Sequence, residues 1–300
     1  MPVARWPSVS VVIPMRDAET TIGEQLAALA AQSYVGEWEV IVADNGSIDR
    51  SAEVARSWKG RIPALQVIDA SARAGSPFAR NLGVSLAAGD VVLMCDADDV
   101  VGEGWITALV GGLRSYDVAR GVNEYATLNS PRVLEWHKPI YRRSATRPVA
   151  LEIFVAGGIG VPGGNFAISA ALYAALGGYS EGLQWGDADF SLRVADAGLE
   201  VGTVPEAVVA VRLRSDLRSA ILQAFSRGGS LAGVWASNPG FRPRGLGLAR
   251  LAAGSATWLA TRLPLAVVSS ATRGRWLIKA ALHVGWLSTR LGLRRSPAAA

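Results

Sequence analysis

Carboxylates standing where a buried run ends are the residues of this chain best suited to chemistry. In "VVLMCDADDVV", residues 91 to 101, Asp96, Asp98 and Asp99 follow an apolar stretch. A carboxylate taken out of water has to be paired, hydrogen-bonded or bound to a metal, because a bare one costs on the order of several kcal/mol. A cationic group is therefore expected at this strand end. Along an extended chain, residues i and i+2 face the same side, so Asp96 and Asp98 can share one hard divalent cation or hold it beside a ribose and a diphosphate. The other use of such residues is a capped helix start at Asp98 or Asp99. Asp44 also follows an apolar run and precedes Asn45-Gly46-Ser47, where an Asx turn with an N-cap is the plainer reading. A third cluster, "WGDADFSLRVADAG" (185 to 198), sets Asp187 and Asp189 at the head of an amphipathic helix, a position that N-capping also explains.

The elements that must position these groups alternate in type. β-branched, mostly apolar runs of strand length occupy 8 to 13, 37 to 43, 64 to 69 and 90 to 95. Between them, 19 to 32, 47 to 58 and 75 to 87 have helical spacing and open on capping residues or an N1 proline. This order predicts right-handed crossovers and a mainly parallel α/β sheet covered by helices on both faces. Such sheets bind ligands at the carboxyl ends of their strands. Polar residues gather there: Pro14, Arg16 and Asp17, then "ADNGS" (43 to 47), then "DADD" (96 to 99).

Three hundred residues, half of them hydrophobic and 18% charged, suffice for one large α/β domain with an appendage and exclude wholesale disorder. The single cysteine, Cys95, excludes an internal disulfide and any Cys-based zinc site and fits a reducing compartment. His137 and His283 are the only histidines and lie far apart in sequence, which argues against a His-centred metal site or triad. "SVSVVIPM" is too short for a signal-peptide core, so no export signal is read. The net charge of +5 is divided unevenly: Asp216 is the last acidic residue and twelve Lys and Arg follow it, so the first 216 residues carry −7. An acidic body with a basic tail suggests contact with an anionic membrane surface or nucleic acid.

"VSVVIPMRDAETTIGEQLAALAAQSY", "EVIVADNGSIDRSAEVA", "GSPFARNLGVSLAAGDVVLMCDADDVV", "GGNFAISAALYAALGGYSEGL" and "WGDADFSLRVADAG" resemble, in this order, the successive blocks of glycosyltransferase family 2. The resemblance spans about residues 8 to 230. It implies a GT-A fold and transfer of a sugar from a nucleotide-diphosphate donor with inversion at the anomeric carbon. It assigns Asp44 to the nucleobase or ribose, Pro14 to the strand end bordering the nucleotide, Asp96 to the ribose side, and Asp98 to a Mg²⁺ or Mn²⁺ bridging the diphosphate. Arg80 would sit by the donor, and Gly163, Gly164 and Asn165 in the loop flanking donor sugar and acceptor. Asp187 matches the catalytic base, with Gly186 where the family has Glu. Asp189 and Trp185 fall on the acceptor side; Trp185 is either a sugar-stacking platform or a core-filling residue. "FSRGGS" (225 to 230) resembles the segment that follows the base helix, which makes Arg227 a phosphate clamp. This fits the chemistry of inversion, in which one carboxylate deprotonates the acceptor hydroxyl while cations stabilise the departing diphosphate.

Two other readings remain open. A sugar-phosphate nucleotidyltransferase uses a similar fold but needs a Gly-rich basic loop after strand one, and "PMRDAETT" lacks the glycines. A non-catalytic membrane-binding protein on a degenerate fold would have no use for Asp44, Asp96, Asp98 and Asp187, and the body's loops offer few aromatics to stack nucleic-acid bases, so no nucleic-acid partner is expected. "GIGVPG" (158 to 163) is a literal G-x-G-x-x-G, but Pro162 argues against a dinucleotide loop. The division expected is a GT-A domain over 1–230 and a basic amphipathic helical tail over 231–300. In the tail, no uncharged apolar window reaches spanning length. Arg275, Lys279, His283, Arg290 and Arg294 share a helical stripe, which suits either a membrane-interface helix or a helix packed on the body. Together these readings describe a metal-dependent, inverting glycosyltransferase with a glycan or lipid-linked acceptor, cytoplasmic and peripheral at the inner face of the membrane.

Overall fold

The structure is a computed structural model and describes residues 6–144, 160–181, 183, 186–238 and 246–291. Its first half runs β1 (Val9–Met15), α1 (Ile22–Ala30), β2 (Trp38–Asp44), α2 (Ser51–Arg56), β3 (Leu65–Asp69), α3 (Ser76–Ser85), β4 (Val91–Cys95), β5 (Val100–Val101) and α4 (Trp105–Gly112). There follow β6 (Val118–Glu124), α5 (Pro131–Ser144), β7 (Asn165–Ser169), α6 (Ala170–Ala175), α7 (Gly186–Asp196), β8 (Val201–Ala210), α8 (Leu217–Ser237), α9 (Leu246–Val268) and α10 (Ser270–Arg290). The strands and helices expected up to residue 95 are all present, the strands with ends moved by no more than two residues.

Alternation within the strands decides the layering. In β1, Val9, Val11 and Ile13 turn to one face and Val12 to the other; in β4, Leu93 and Cys95 join the first set, Val92 and Met94 the second. Because both faces are buried, the runs read as continuously apolar. The first face is covered by α1, through Ile22, Leu26 and Leu29, and by α4, through Trp105, Ile106 and Leu109. The second packs against Tyr173 of α6, Phe190 and Val194 of α7, and Tyr179, whose ring stacks on Phe190 at 5.0 Å between centroids.

The sheet order is β3-β2-β1-β4-β7-β6-β8-β5. β3, β2, β1 and β4 pair in parallel, as expected, but β7 is antiparallel to both β4 and β6, and β8 is parallel to β6. The parallel expectation therefore holds for the first four strands only. This topology fixes where the site lies. Reversal at β7 brings its amino end beside the carboxyl end of β4, with Asn165 paired to Cys95. β6 and β8 run in the same sense as β4, so the segments that follow them reach the same edge. The chain winds outward from β1 to β3 and returns to β4 on the other side of β1, the kind of switch point at which α/β sheets open a crevice.

The C-terminal helices pack on the body and on one another. α8 runs unbroken through residue 230, where the sequence reading divides the chain. Gly228 of α8 lies so close to Leu282 O that a Cβ would collide with it, and Gly285 of α10 is in the same relation to Phe225 O. Gly274 of α10 likewise abuts the Trp136 ring of α5. Of the basic stripe, Arg294 lies outside the described residues. Among the described residues, no helix is long and apolar enough to cross a membrane.

Candidate active site

β4 stops at Cys95, and Asp96 to Asp99 make a turn instead of continuing the strand. Asp96 and Asp98 therefore stand on a turn and not on an extended strand, and each has an arginine near it. Arg80 Nη2, from α3, donates to Asp96 Oδ1 at 2.6 Å, while Arg214 Nη1 lies 3.8 Å from Asp98 Oδ2. Asp99 is buried and accepts the backbone N–H of Arg212 at 2.8 Å, so its role is to anchor the segment after β8. Arg212 adds a bond from Nε to Asp98 O (3.0 Å) and one from Nη2 to Glu24 (2.7 Å). The buried Gln25 braces the turn from beneath, donating to Asp96 O and accepting from the N–H of Val101.

The Gly163-Gly164 turn closes over these groups. A Cβ on Gly163 would stand 3.3 Å from Arg80 Nη2 and 3.4 Å from Asp187 Cβ, and a Cβ on Gly164 would collide with Asp96 Oδ2. A side chain at 164 would need Asp96 to move and one at 163 would be tight, and the turn brings Asp187, Arg80 and Asp96 together. Asp187 lies in the first turn of α7, half-buried, with Oδ1 accepting from the N–H of Ala188 at 3.0 Å. Arg80 is buried, stacked at 5.2 Å over the Tyr179 ring, and donates through Nη1 to Ser76.

On the strand next to β4, Pro14 is buried in β1 opposite Ala43, and one strand further Asp44 ends β2 half-buried, its Oδ1 accepting from Ser47 N–H at 3.0 Å. Asp44 thus closes a local turn three residues on, but it caps no helix, since α2 begins only at Ser51. The next residue holds the neighbouring loop: Asn45 donates to Ala70 O and Arg73 O and accepts from Gly75 N–H, which fixes the entry to α3 and with it Arg80.

Asn165 and Asp189 are committed to the scaffold. Asn165 is buried, accepts from Trp105 Nε1 at 2.9 Å and donates to Val122 O and Asn123 Oδ1. Asp189, also buried, accepts from Ser180 Oγ (2.6 Å), Arg193 Nε (2.9 Å) and Asn238 Nδ2 (2.9 Å), and Arg193 in turn donates to Leu176 O and Gly178 O. Trp185 lies outside the described residues. Arg227, on α8, is exposed to solvent yet surrounded densely enough by protein that desolvation lowers its pKa, an effect the Asp187 charge opposes. Arg214 was absent from the sequence reading, although "VRLRSD" (211 to 216) puts polar residues after a strand just as "DADD" does.

Burial raises the pKa of Asp187, while Arg80 and Arg227 pull it back. Asp98 is also raised, by burial and then by Asp96, with Arg214 opposing. For Arg80, burial disfavours the charge, but Asp96, Tyr179 and Asp187 together hold its pKa above the ordinary value. At Asp187 and Asp98 alike burial is the larger cause, and the nearby arginines oppose it. The donor set suits a hard divalent cation: Asp98 Oδ2 has only an arginine beyond hydrogen-bonding distance, and Asp96 Oδ2 faces a cradle that any side chain at 164 would fill. Among the described residues, no group of three or more His, Cys, Asp or Glu converges as a metal site, so a cation here would complete its shell from other oxygens.

The model of the family described as "Glycosyl transferase family 2" matches residues 10–158, which holds β1 to β4 and the turn from Asp96 to Asp99. The chain is 25% identical over 214 residues to the probable glycosyltransferase YdaM of Bacillus subtilis, a match covering 67% of this chain and 50% of that protein. It spans about half the length of the curated relatives it matches (50% and 52%). Among solved structures it is similar to the mannosyltransferase PcManGT from Pyrobaculum calidifontis in complex with GDP-Man and Mn²⁺, with a TM-score of 0.66 at 20% identity over 98% of this chain and 89% of that one. It is also similar to S. aureus TarS 1-349 in complex with UDP-GlcNAc, with a TM-score of 0.55 at 16% identity over 95% and 92%. These likenesses establish the GT-A fold. With the strand-end aspartates Asp44, Asp96 and Asp98 inside the matched region, residues 10–158, just under half of the chain, are those of glycosyl transferase family 2.

Proposed function

We propose that this protein transfers a sugar from a nucleoside-diphosphate donor to the hydroxyl of a glycan or lipid-linked acceptor, with inversion and with a divalent metal. The observation that carries this is the convergence of Asp187, Arg80 and Asp96 around Gly163-Gly164 at the carboxyl edge of the sheet. The bound forms of the similar proteins, GDP-Man with Mn²⁺ in one and UDP-GlcNAc in another, support the donor class.

In this reading Asp187 takes the proton of the acceptor hydroxyl as that oxygen bonds to the anomeric carbon. The bond from that carbon to the diphosphate breaks on the opposite side, and the nucleoside diphosphate leaves with the electron pair. Two unlike environments serve this division of labour. Asp187 is made more basic by its burial, whereas Asp96 accepts a hydrogen bond from Arg80. Asp44 and Pro14 border the nucleoside, and Arg80 and Arg227 face the phosphates. Asp98, with Asp96 beside it, would hold Mn²⁺ or Mg²⁺, which when bound supplies charge stabilisation for the leaving group. Gly164 leaves room for the sugar, while Asn165 and Asp189 position the loop and helix that present Asp187. The catalytic domain is 1–230 and the C-terminal helices form its appendage. The basic appendage brings the protein peripherally to an anionic membrane surface on the cytoplasmic side, where a lipid-linked acceptor resides.

The test is calorimetry with UDP-, GDP- and dTDP-sugars. One donor should bind with Mn²⁺ present, and binding should fall sharply with EDTA and in Asp98→Ala. Equal binding of that donor with and without the metal would remove the metal role; binding of no donor would remove the transferase reading.

A further inference from the structure

The α9 to α10 hairpin ends in an apolar tip that the catalytic reading leaves without a use. Leu263, Leu265, Val267 and Val268 are 49%, 54%, 68% and 81% exposed, and Ala266 alone of this turn is buried. At helical spacing these four spread over roughly 200° of the circumference, and the buried Ala266 lies on the remaining side. α9 packs chiefly against α10, which holds it through Trp276 Nε1 donating to Leu259 O at 2.8 Å.

Charge and aromatic residues are arranged by height along this hairpin. No charged residue occurs from 263 to 272. Immediately below the tip, Arg262 and Lys279 converge on Trp258 from the two helices, at 5.4 and 4.2 Å from its ring centroid. Arg273 donates to Ala266 O and Val267 O, and Ser269 caps α10 by accepting from Thr272 N–H. Ala266 O, Val267 O and the Thr272 N–H thus have partners within the protein, as entry into a low dielectric requires, and the Arg273 guanidinium that serves the two carbonyls adds a third cation close to the tip. From residue 217 onward the sequence has no carboxylate at all.

We propose that this tip inserts into the headgroup and upper acyl layer of an anionic bilayer, with Trp258, Arg262 and Lys279 at the level of the headgroups. Residues 263 to 268 rise about 9 Å along the helix, and interfacial helices sink by roughly 5 to 10 Å. A soluble protein partner would not require cations ringed round a Trp below an apolar end, whereas an anionic lipid surface matches both layers. Of the stripe on α10 that suggests an interfacial helix in the sequence, Lys279 turns to Trp258 of α9, and the lipid-facing element in this proposal is the hairpin tip. The proposal rests on the membrane reading above, not on transfer.

The experiment is sedimentation of the whole protein with phosphatidylcholine vesicles, with or without phosphatidylglycerol, combined with a dye on Val268→Cys; the native Cys95 is buried and will not compete. The expected result is binding to the phosphatidylglycerol vesicles only, a blue shift of the dye, and a loss of about tenfold or more in Leu265→Asp/Val268→Asp. Val35→Asp, equally exposed on the body, should bind as the wild type does. Absence of wild-type binding, or binding with the dye still in water, overturns the proposal. Since no transfer is measured, a failure here leaves the catalytic reading standing.

Discussion

Arg80 Nη2 donates to Asp96 Oδ1 at 2.6 Å, and this bond ties helix α3 to the end of strand β4 beside Asp187. The same guanidinium lowers the pKa of Asp187 against the rise that burial causes. In Arg80→Met that restraint is gone, so the Asp187 pKa rises further. The acid limb of the pH–rate profile, where the base form is lost, should move to higher pH, with Arg80→Lys in between. An unmoved limb would mean that Asp187 does not set it.

Asp187 and Asp189 should separate chemistry from stability. Asp187→Asn keeps its size and helix position, and transfer should fall by roughly 10² to 10⁴ with an unchanged urea midpoint. Asp189→Asn leaves Arg193 without its carboxylate in a buried network, for which about 3 kcal/mol of lost stability is expected. The reverse pattern would move the base to Asp189.

Arg214 competes with a divalent ion for Asp98. Removing a cation about 4 Å from a carboxylate in water is worth on the order of 1 kcal/mol, or about fivefold. Arg214→Ala should therefore bind Mn²⁺ alone about fivefold more tightly by calorimetry. If the side chain turns to the diphosphate once the metal is in place, the variant should also bind nucleoside diphosphate more weakly. Unaltered metal affinity would show that Arg214 does not guard the site.

His137 lies buried on α5, both ring nitrogens without a hydrogen-bond partner, and its pKa is lowered to about 4 by burial and by Arg227 on α8. Unfolded, it titrates near 6.5. Between these values the unfolded chain binds the proton that the folded chain refuses, so stability falls as pH drops from 6.5 towards 4 and is insensitive to this residue above that window. The full effect is about 3 kcal/mol. His137→Phe should flatten this part of the curve, as read from urea midpoints at several pH values; an equally steep curve would assign the acid sensitivity to other groups.

The first four strands were legible because each is a short apolar run ended by polar residues, as in Val91 to Asp96, and three of them, β1, β2 and β4, are buried along most of their length. Reversal of β7 was not legible, since antiparallel and parallel strands of this length look alike in one sequence. At the site, the aspartates were found from their contrast with the apolar runs before them, but their partners were not. Arg80 and Asp96 are sixteen residues apart, and only the α3 to β4 crossover joins them. Asn165 and Asp189 could not be told from ligand-facing residues, because an amide or carboxylate buried among scaffold partners has the same letter as one facing a crevice.

The two glycines at the crossing of α8 and α10, Gly228 and Gly285, limit how this protein can be shortened or recombined. Each lets one helix rest directly on a carbonyl of the other. A chain cut at residue 230 would bare that contact and leave the helix bearing Arg227 without its support, so insolubility of such a fragment would say nothing about the need for a membrane. Grafting the hairpin onto another catalytic body would also fail unless the recipient helix offered a glycine at the crossing point. Appendage and catalytic half are thus bound to be inherited as a pair.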